Sequence, residues 1–365
     1  ISVLESIREV LVNHPTHSAS IDAAQGELRR FQDPDEGRSD AFFGAIITDT
    51  LSRDPARGLQ AAFEIANKLQ QFDRAYCIAG MGRAMGTASQ SMLDFHEQRS
   101  VKRRWPAQPI PREEATGLLP AELVSGPFLD FLRSLREGVI IGMEKSPLHS
   151  KTTRQSRVRD SEILGLRLAE RWPLYYNLET AGLFVAGGVG QSAVLTEKNL
   201  VKVLVDIRWN TNVEPTPLLM SVGRQLAAYS MAVSPWDLLD KDAQCSLLIS
   251  IVAKYVPGWN HVPRKHLPSN IDMIKIHRWL EKQDRRVAAF ALEVSGRYGA
   301  PAIREQFTHL NTALERFACV MIDDPALALQ HAQFDEESGE RLPGMFYLSP
   351  AATRIRRALG LSVDA

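Results

Sequence analysis

Apolar residues recur at helical spacing along most of this chain, and the runs begin at capping residues. Leu59, Ala62, Phe63, Ala66 and Leu69 mark one helix face, with Arg57, Glu64 and Lys68 off it. Phe128, Phe131, Leu132, Leu135 and Val139 mark a second. Phe307, Leu310, Leu314 and Phe317 mark a third, opened by Pro301. Six starts place a Ser, Thr or Asp directly before proline: Asp54-Pro55, Ser146-Pro147, Thr216-Pro217, Ser234-Pro235, Asp324-Pro325 and Ser349-Pro350. The hydroxyl or carboxylate can accept a bond from a free N–H of the first turn. Proline at the first helical position gives up no bond, because its N–H would have had no partner there. Asp237, three residues after Ser234, adds the outline of a capping box. Further helix starts are expected at Asp160 or Ser161, running to about Trp172, and at Ser269, with Asp272 three residues on.

The pattern predicts a mainly α, multi-helix protein in two helical lobes. The lobes are expected at 1–98 and 121–365, joined by a Pro-rich basic linker or long loop at 99–120. Within that break Pro106, Pro109, Pro111 and Pro120 exclude a continuous helix. The first stretch reads as one or two short helices over 1–32, a weak linker at His14–Ser20 and a turn at Asp33–Gly37. Near the other end 335–340 reads as an acidic exposed loop. Gly80, Gly82 and Gly86 lie in an Ala-rich helix over 74–93 and favour close helix contact. One stretch fits two templates. Leu200, Val203, Leu204 and Ile207 suit a helix capped at Thr196, whereas Val201, Val203, Val205, Ile207 and Trp209 alternate as a strand. Length and the capping Thr favour the helix, and the reading leans that way. The β-branched density favours a strand that would pair with Leu183–Ala186 as a minor β element near 183–209.

The chemistry is sparser than the helices. Ala186-Gly187-Gly188-Val189-Gly190-Gln191-Ser192-Ala193 resembles the phosphate-binding loop of small GTPases or partition-type ATPases over those residues. It departs from that loop where Gln191 replaces the lysine and Phe184 or Val185 replaces the first glycine. The sequence therefore predicts a tight Gly turn between two apolar elements. No HExxH, GxSxG, CxxC or DDxxD pattern occurs. Asp323-Asp324 reads as helix capping. His261 and His266 read as a surface loop, and His277/Glu281 and Glu305/His309 as i, i+4 surface pairs. Under the alternative of an all-α enzyme or cofactor binder, His277, His309 and Tyr175–Tyr176 would line an interhelical pocket. No catalytic residue, metal site or cofactor is predicted. The three cysteines, Cys77, Cys245 and Cys319, read as reduced core thiols, which fits a cytoplasmic or other reducing compartment.

Charge sharpens the partner question. The 365 residues carry 43 Lys+Arg and 43 Asp+Glu, a balance that disfavours a protein coating nucleic acid over its whole surface. No apolar run is long enough to cross a bilayer. Residue 1 is Ile, which reads as a trimmed N-terminus. Two breaks are locally basic. The first holds Arg103, Arg104 and the adjacent Trp105, and the second, over 145–159, holds Arg154, Arg157 and Arg159. The planar guanidinium fork suits carboxylate or phosphate, and a neighbouring aromatic can anchor an interface or stack on a base. The sequence is thus read as a non-catalytic interaction protein, a scaffold, adaptor or regulator, binding a protein or anionic partner or self-associating. The alternative is an RNA-binding or capsid-like protein with a basic groove between the lobes.

Overall fold

A computed structural model describes residues 54–363 apart from 102–103, 144–154, 160, 180, 188–191, 198–199, 212–213, 260–270, 284, 333, 336–339 and 342–343. Among the described residues the chain opens with α1 (Pro55–Lys68), α2 (Phe72–Met85), α3 (Gln90–Ser100), α4 (Arg112–Ala115), α5 (Ala121–Val124) and α6 (Phe128–Gly142). There follow β1 (Gln155–Arg157), α7 (Leu164–Tyr175), β2 (Ala181–Ala186), β3 (Ala193–Glu197) and β4 (Leu200–Asp206). Next come α8 (Thr216–Ser230), α9 (Ser234–Asp237), α10 (Lys241–Tyr255), α11 (Met273–Leu280), α12 (Arg285–Arg297) and α13 (Ala300–Val320). The chain closes with α14 (Pro325–His331), β5 (Phe334–Asp335), β6 (Glu340–Arg341) and α15 (Pro350–Ala358). The fold is mainly α with a minor β element. It divides into two compact units: the described residues up to Leu118 together with those from Cys319 onward, and Leu119–Ala318.

In the first unit, Asp54 caps α1 by accepting from the Arg57 N–H at 3.2 Å, and Leu59, Ala62, Phe63 and Ala66 are buried as the periodicity requires. Asp324 caps α14 through the N–H groups of Ala326 and Leu327, and Ser349 caps α15 through that of Ala352. The small residues of α2 work as expected. A Cβ on Gly82 would lie 2.8 Å from Met92 Cε of α3, and one on Gly80 would lie 3.2 Å from His96 Nε2. Gly86 ends α2 at φ 70°, a left-handed conformation glycine adopts without strain.

The second unit holds a four-stranded sheet in the order β1-β2-β4-β3. Here the favoured helix over 200–207 is corrected: Leu200–Asp206 is a strand, parallel to β2 and antiparallel to β3. Thr196 caps nothing. It lies in β3, with its hydroxyl 2.7 Å from the Tyr229 hydroxyl of α8. Leu183, Val194, Val203 and Val205 share one buried sheet face, so the β-branched density was the stronger signal. The Gly-rich stretch joins β2 to β3, two strands separated in the sheet by β4, and of its loop residues 188–191 lie outside the described ones.

Several start signals act differently from their pattern. Ser234 opens only a single turn without a side-chain cap, and Thr216 is the first residue of α8, after an N-cap at Pro215, with its hydroxyl donating to Glu214. Asp272 caps α11, through the N–H groups of Ile274 and Lys275. Helix α7 begins at Leu164, after Ser161 has accepted a bond from the Ile163 N–H. The two ends of the expected acidic loop pair as β5 and β6. Ser146, Ser269, His261, His266 and everything expected of 1–53 lie outside the described residues.

Helix α6 is the axis of the second unit's helical core. Phe128, Phe131, Leu132, Leu135 and Val139 are all buried. Its Gly138 lies against the Trp279 indole, where a Cβ would come within 2.7 Å of Cζ3 and closer still to Cε3. Gly138→Ala should therefore destabilise the protein by about 1–2 kcal/mol despite alanine's better helix propensity, since overpacking a rigid ring outweighs that gain. Urea denaturation measures this, and an alanine variant as stable as the parent would show that α11 gives way freely.

Candidate functional site

The densest chemistry in the first unit is a buried charge cluster. Arg356, on the inner face of α15, is fully buried. Its Nε lies 3.2 Å from Asp73 Oδ2, in the first turn of α2. Its Nη1 donates to the Asp323 carbonyl at 2.8 Å and its Nη2 to the Leu361 carbonyl at 3.0 Å. Asp323 also accepts from the Arg104 backbone N–H at 2.9 Å, with the Arg104 guanidinium 3.5 Å away. Burial works against the Arg356 charge, yet Asp73 and its neighbours hold its pKa well above the ordinary value. Burial raises the Asp323 carboxyl despite Arg356 and Arg104. Capping is thus only half right for the acidic pair: Asp324 caps, whereas Asp323 is an ion-pair partner.

Beside this cluster, His96 is buried and stacked on Tyr76, with ring centroids 4.8 Å apart and an 8° interplanar angle. Its Nε2 lies 3.1 Å from Asp324 Oδ1. Burial pushes the Asp324 carboxyl up, but the His96 contact and the cap bonds outweigh it and hold the group below its ordinary value. Burial pushes the Cys77 thiol and Tyr76 hydroxyl far up, so neither is an ionised nucleophile at neutral pH.

The second unit contains an equivalent knot. Arg224 of α8 donates through Nε and Nη2 to Asp237 Oδ1 at 2.8 and 2.5 Å, and through Nη1 to Glu315 Oε1 at 2.5 Å. Its Nη2 also reaches Asn311 Oδ1 at 2.9 Å, and the Gln225 amide donates to Asp237 Oδ2. One guanidinium faces two buried carboxylates. Burial is the leading cause that lifts Asp237 to about 6, against the pull of Arg224, and Glu315 adds to the rise. Asp237 is therefore the acceptor of the Arg224 guanidinium and not part of a capping box.

The residues singled out for binding are distributed as follows. Arg104 is committed to Asp323, and Trp105 beside it is half-buried in the same unit. Arg157 and Arg159 are exposed in the second unit. Arg103 and Arg154 lie outside the described residues. Arg157 stands opposite Phe184 in the β1–β2 ladder, and its Nε would be 3.4 Å from a Cβ on Gly182. Lys202, which faces Gly182 from β4, places Nζ 5.0 Å from the Phe184 ring centroid. Two cations thus share one sheet face with an aromatic ring, a grouping hidden until the parallel β2–β4 register is known.

The other candidates are ordinary. His277 and Glu281 both meet Lys254, whose Nζ donates to the His277 carbonyl at 2.9 Å and to Glu281 Oε1 at 3.3 Å. His309 is 3.9 Å from Glu305 on one helix face. Tyr176 donates to the Phe317 carbonyl at 3.1 Å, and Tyr175 packs edge-on to Trp172. The three cysteines form no disulfide and are buried. Among the described residues no group of three His, Cys, Asp or Glu side chains is placed to hold a metal ion, and no helix is long and apolar enough to cross a membrane. No protein-family model, curated protein or solved structure matches this chain.

Proposed function

We propose that this chain is a non-catalytic helical interaction protein, a scaffold, adaptor or regulator, that binds a protein or anionic partner through arginine-bearing surface of its second unit. The observation that carries this is the pair Arg157 and Arg159, exposed at the edge of the sheet, with Arg157 on the face that also holds Phe184 and Lys202. An exposed guanidinium beside an aromatic ring suits a carboxylate- or phosphate-bearing partner. The buried Arg356 and the mostly covered Arg224, by contrast, are matched within their own units: Arg356 to Asp73, and Arg224 to Asp237 and Glu315.

The test is affinity capture with the full chain, using R157E/R159E as the matched control. A protein retained by the parent and lost from the variant supports the proposal. Co-purifying nucleic acid, seen as a 260/280 absorbance ratio that falls on nuclease treatment, would replace the protein partner with RNA. A chromophore in the visible spectrum would sink the non-catalytic reading.

A further inference from the structure

Helices α11 and α12 follow one another along α6 in the opposite direction. Ile276 meets Gly142, Trp279 meets Gly138, Phe290 lies 6.4 Å from Phe131, and Tyr298 lies 6.3 Å from Phe128. Their inner positions Ile276, Leu280, Val287, Ala291 and Val294 are buried. The outer side is a different surface. Ile274 is 65% exposed and Leu292 58%, one at each part of the rod. Between them in sequence Arg278, Lys282 and Arg285 are exposed at spacings of four and three residues.

Cations outnumber acids along this stretch of sequence. Residues 273–297 carry six Lys/Arg against Glu281, Asp284 and Glu293, a local excess in a chain whose totals of 43 and 43 balance. Glu281 is drawn to Lys254 at 3.3 Å. Three other cations of the unit have acids beside them: Arg133 has Asp130, Arg208 has Asp206 and Arg304 has Asp242. Arg278, Lys282 and Arg285 have no ion-pair partner among the described residues.

We infer that the outer side of α11–α12 docks an acidic amphipathic segment of a partner protein, its carboxylates meeting Arg278, Lys282 and Arg285 and its apolar side chains covering Ile274 and Leu292. This rests on the interaction-protein reading but uses a surface apart from Arg157 and Arg159. Exposed Ile and Leu gain from an apolar partner and not from a phosphate backbone. Glu293, also exposed on α12, repels phosphate, while a polypeptide of mixed charge can accommodate it.

The experiment is fluorescence anisotropy on the full chain with three labelled probes: an amphipathic Glu/Leu peptide, its Lys/Leu counterpart and an oligouridylate. The parent is expected to bind the Glu/Leu peptide and reject the Lys/Leu one, with affinity falling as salt rises. R278E/K282E/R285E should weaken that binding by roughly tenfold or more, since like charges now face each other. I274S/L292S should weaken it without changing the salt dependence, and R171E, a charge reversal at an exposed position of α7, should leave it unchanged. Far-ultraviolet circular dichroism confirms that these exposed substitutions keep the fold. Failure of the parent to bind the Glu/Leu peptide, or equal binding by the charge-reversed variant, overturns the inference. So does an oligouridylate bound by the parent and lost in that variant, which would make the rod a nucleic-acid surface. Binding lost only in R157E/R159E overturns the rod as the site while leaving the interaction-protein reading intact, whereas that reading itself fails if affinity capture retains no partner.

Discussion

Arg356→Ala is expected to cost the first unit about 3–5 kcal/mol, because it leaves Asp73 buried without its cation and Asp323 with Arg104 alone. The guanidinium also serves the carbonyls of Asp323 and Leu361, which lose their donors at the same time. Against a typical total stability of about 5–15 kcal/mol, that loss is a large fraction. Arg356→Lys should recover little, since an ammonium cannot fork between a carboxylate and two carbonyls. Urea denaturation followed by amide exchange in α2 and α15 reads the effect where it should fall. A variant within about 1 kcal/mol of the parent would mean that water reaches Asp73 and replaces the arginine.

Arg224→Ala is expected to cost the second unit a similar amount, about 3–5 kcal/mol at neutral pH, with a pH signature that sets it apart. Asp237 already sits at about 6 in the parent, chiefly because burial penalises its charge. Removing the guanidinium removes the strongest force opposing that rise. The folded state then binds a proton more tightly than the unfolded state, so stability falls as pH increases through the folded value. The deficit of the variant should thus be largest above neutral pH and shrink on acidification toward pH 5. Denaturation of parent and variant in parallel buffers measures the difference. A deficit independent of pH would show that lost packing of the Arg224 stem, and not the stranded Asp237 carboxylate, is responsible.

These two knots also show what the sequence could and could not reveal. Asp54, Asp324 and Ser349 were legible because each acts on an N–H two or three residues away. The faces of α1 and α6 were legible because a helix repeats its burial within a short window. Leu200–Asp206 was harder, since its partner strand β2 lies across a Gly-rich connection and the local spacing satisfied both templates. Asp73, Asp237 and Arg356 gave no local sign of their roles. Asp73 looks like a first-turn acid and Asp237 like a capping-box residue. What distinguishes them is a partner brought in by tertiary packing. For the candidate sites, Arg157 and Arg159 were visible as charges, whereas Phe184 and Lys202 joined them only through strand register. Arg278, Lys282 and Arg285 are interleaved in sequence with Trp279, Glu281 and Asp284, so no basic run marks the side of α11–α12 that they share.

The first unit is built from both sides of an uninterrupted second one, and this has a consequence for biosynthesis. Asp73 emerges from the ribosome 283 residues ahead of Arg356. At about 5–20 residues per second that interval is roughly 15–60 s. Throughout it α1 and α2 wait with their apolar faces unmatched by α14 and α15, while Leu119–Ala318 is delivered in one continuous run and can close its core first. Vectorial synthesis therefore favours the later-starting unit, and the earlier one depends on protection until its last helix arrives.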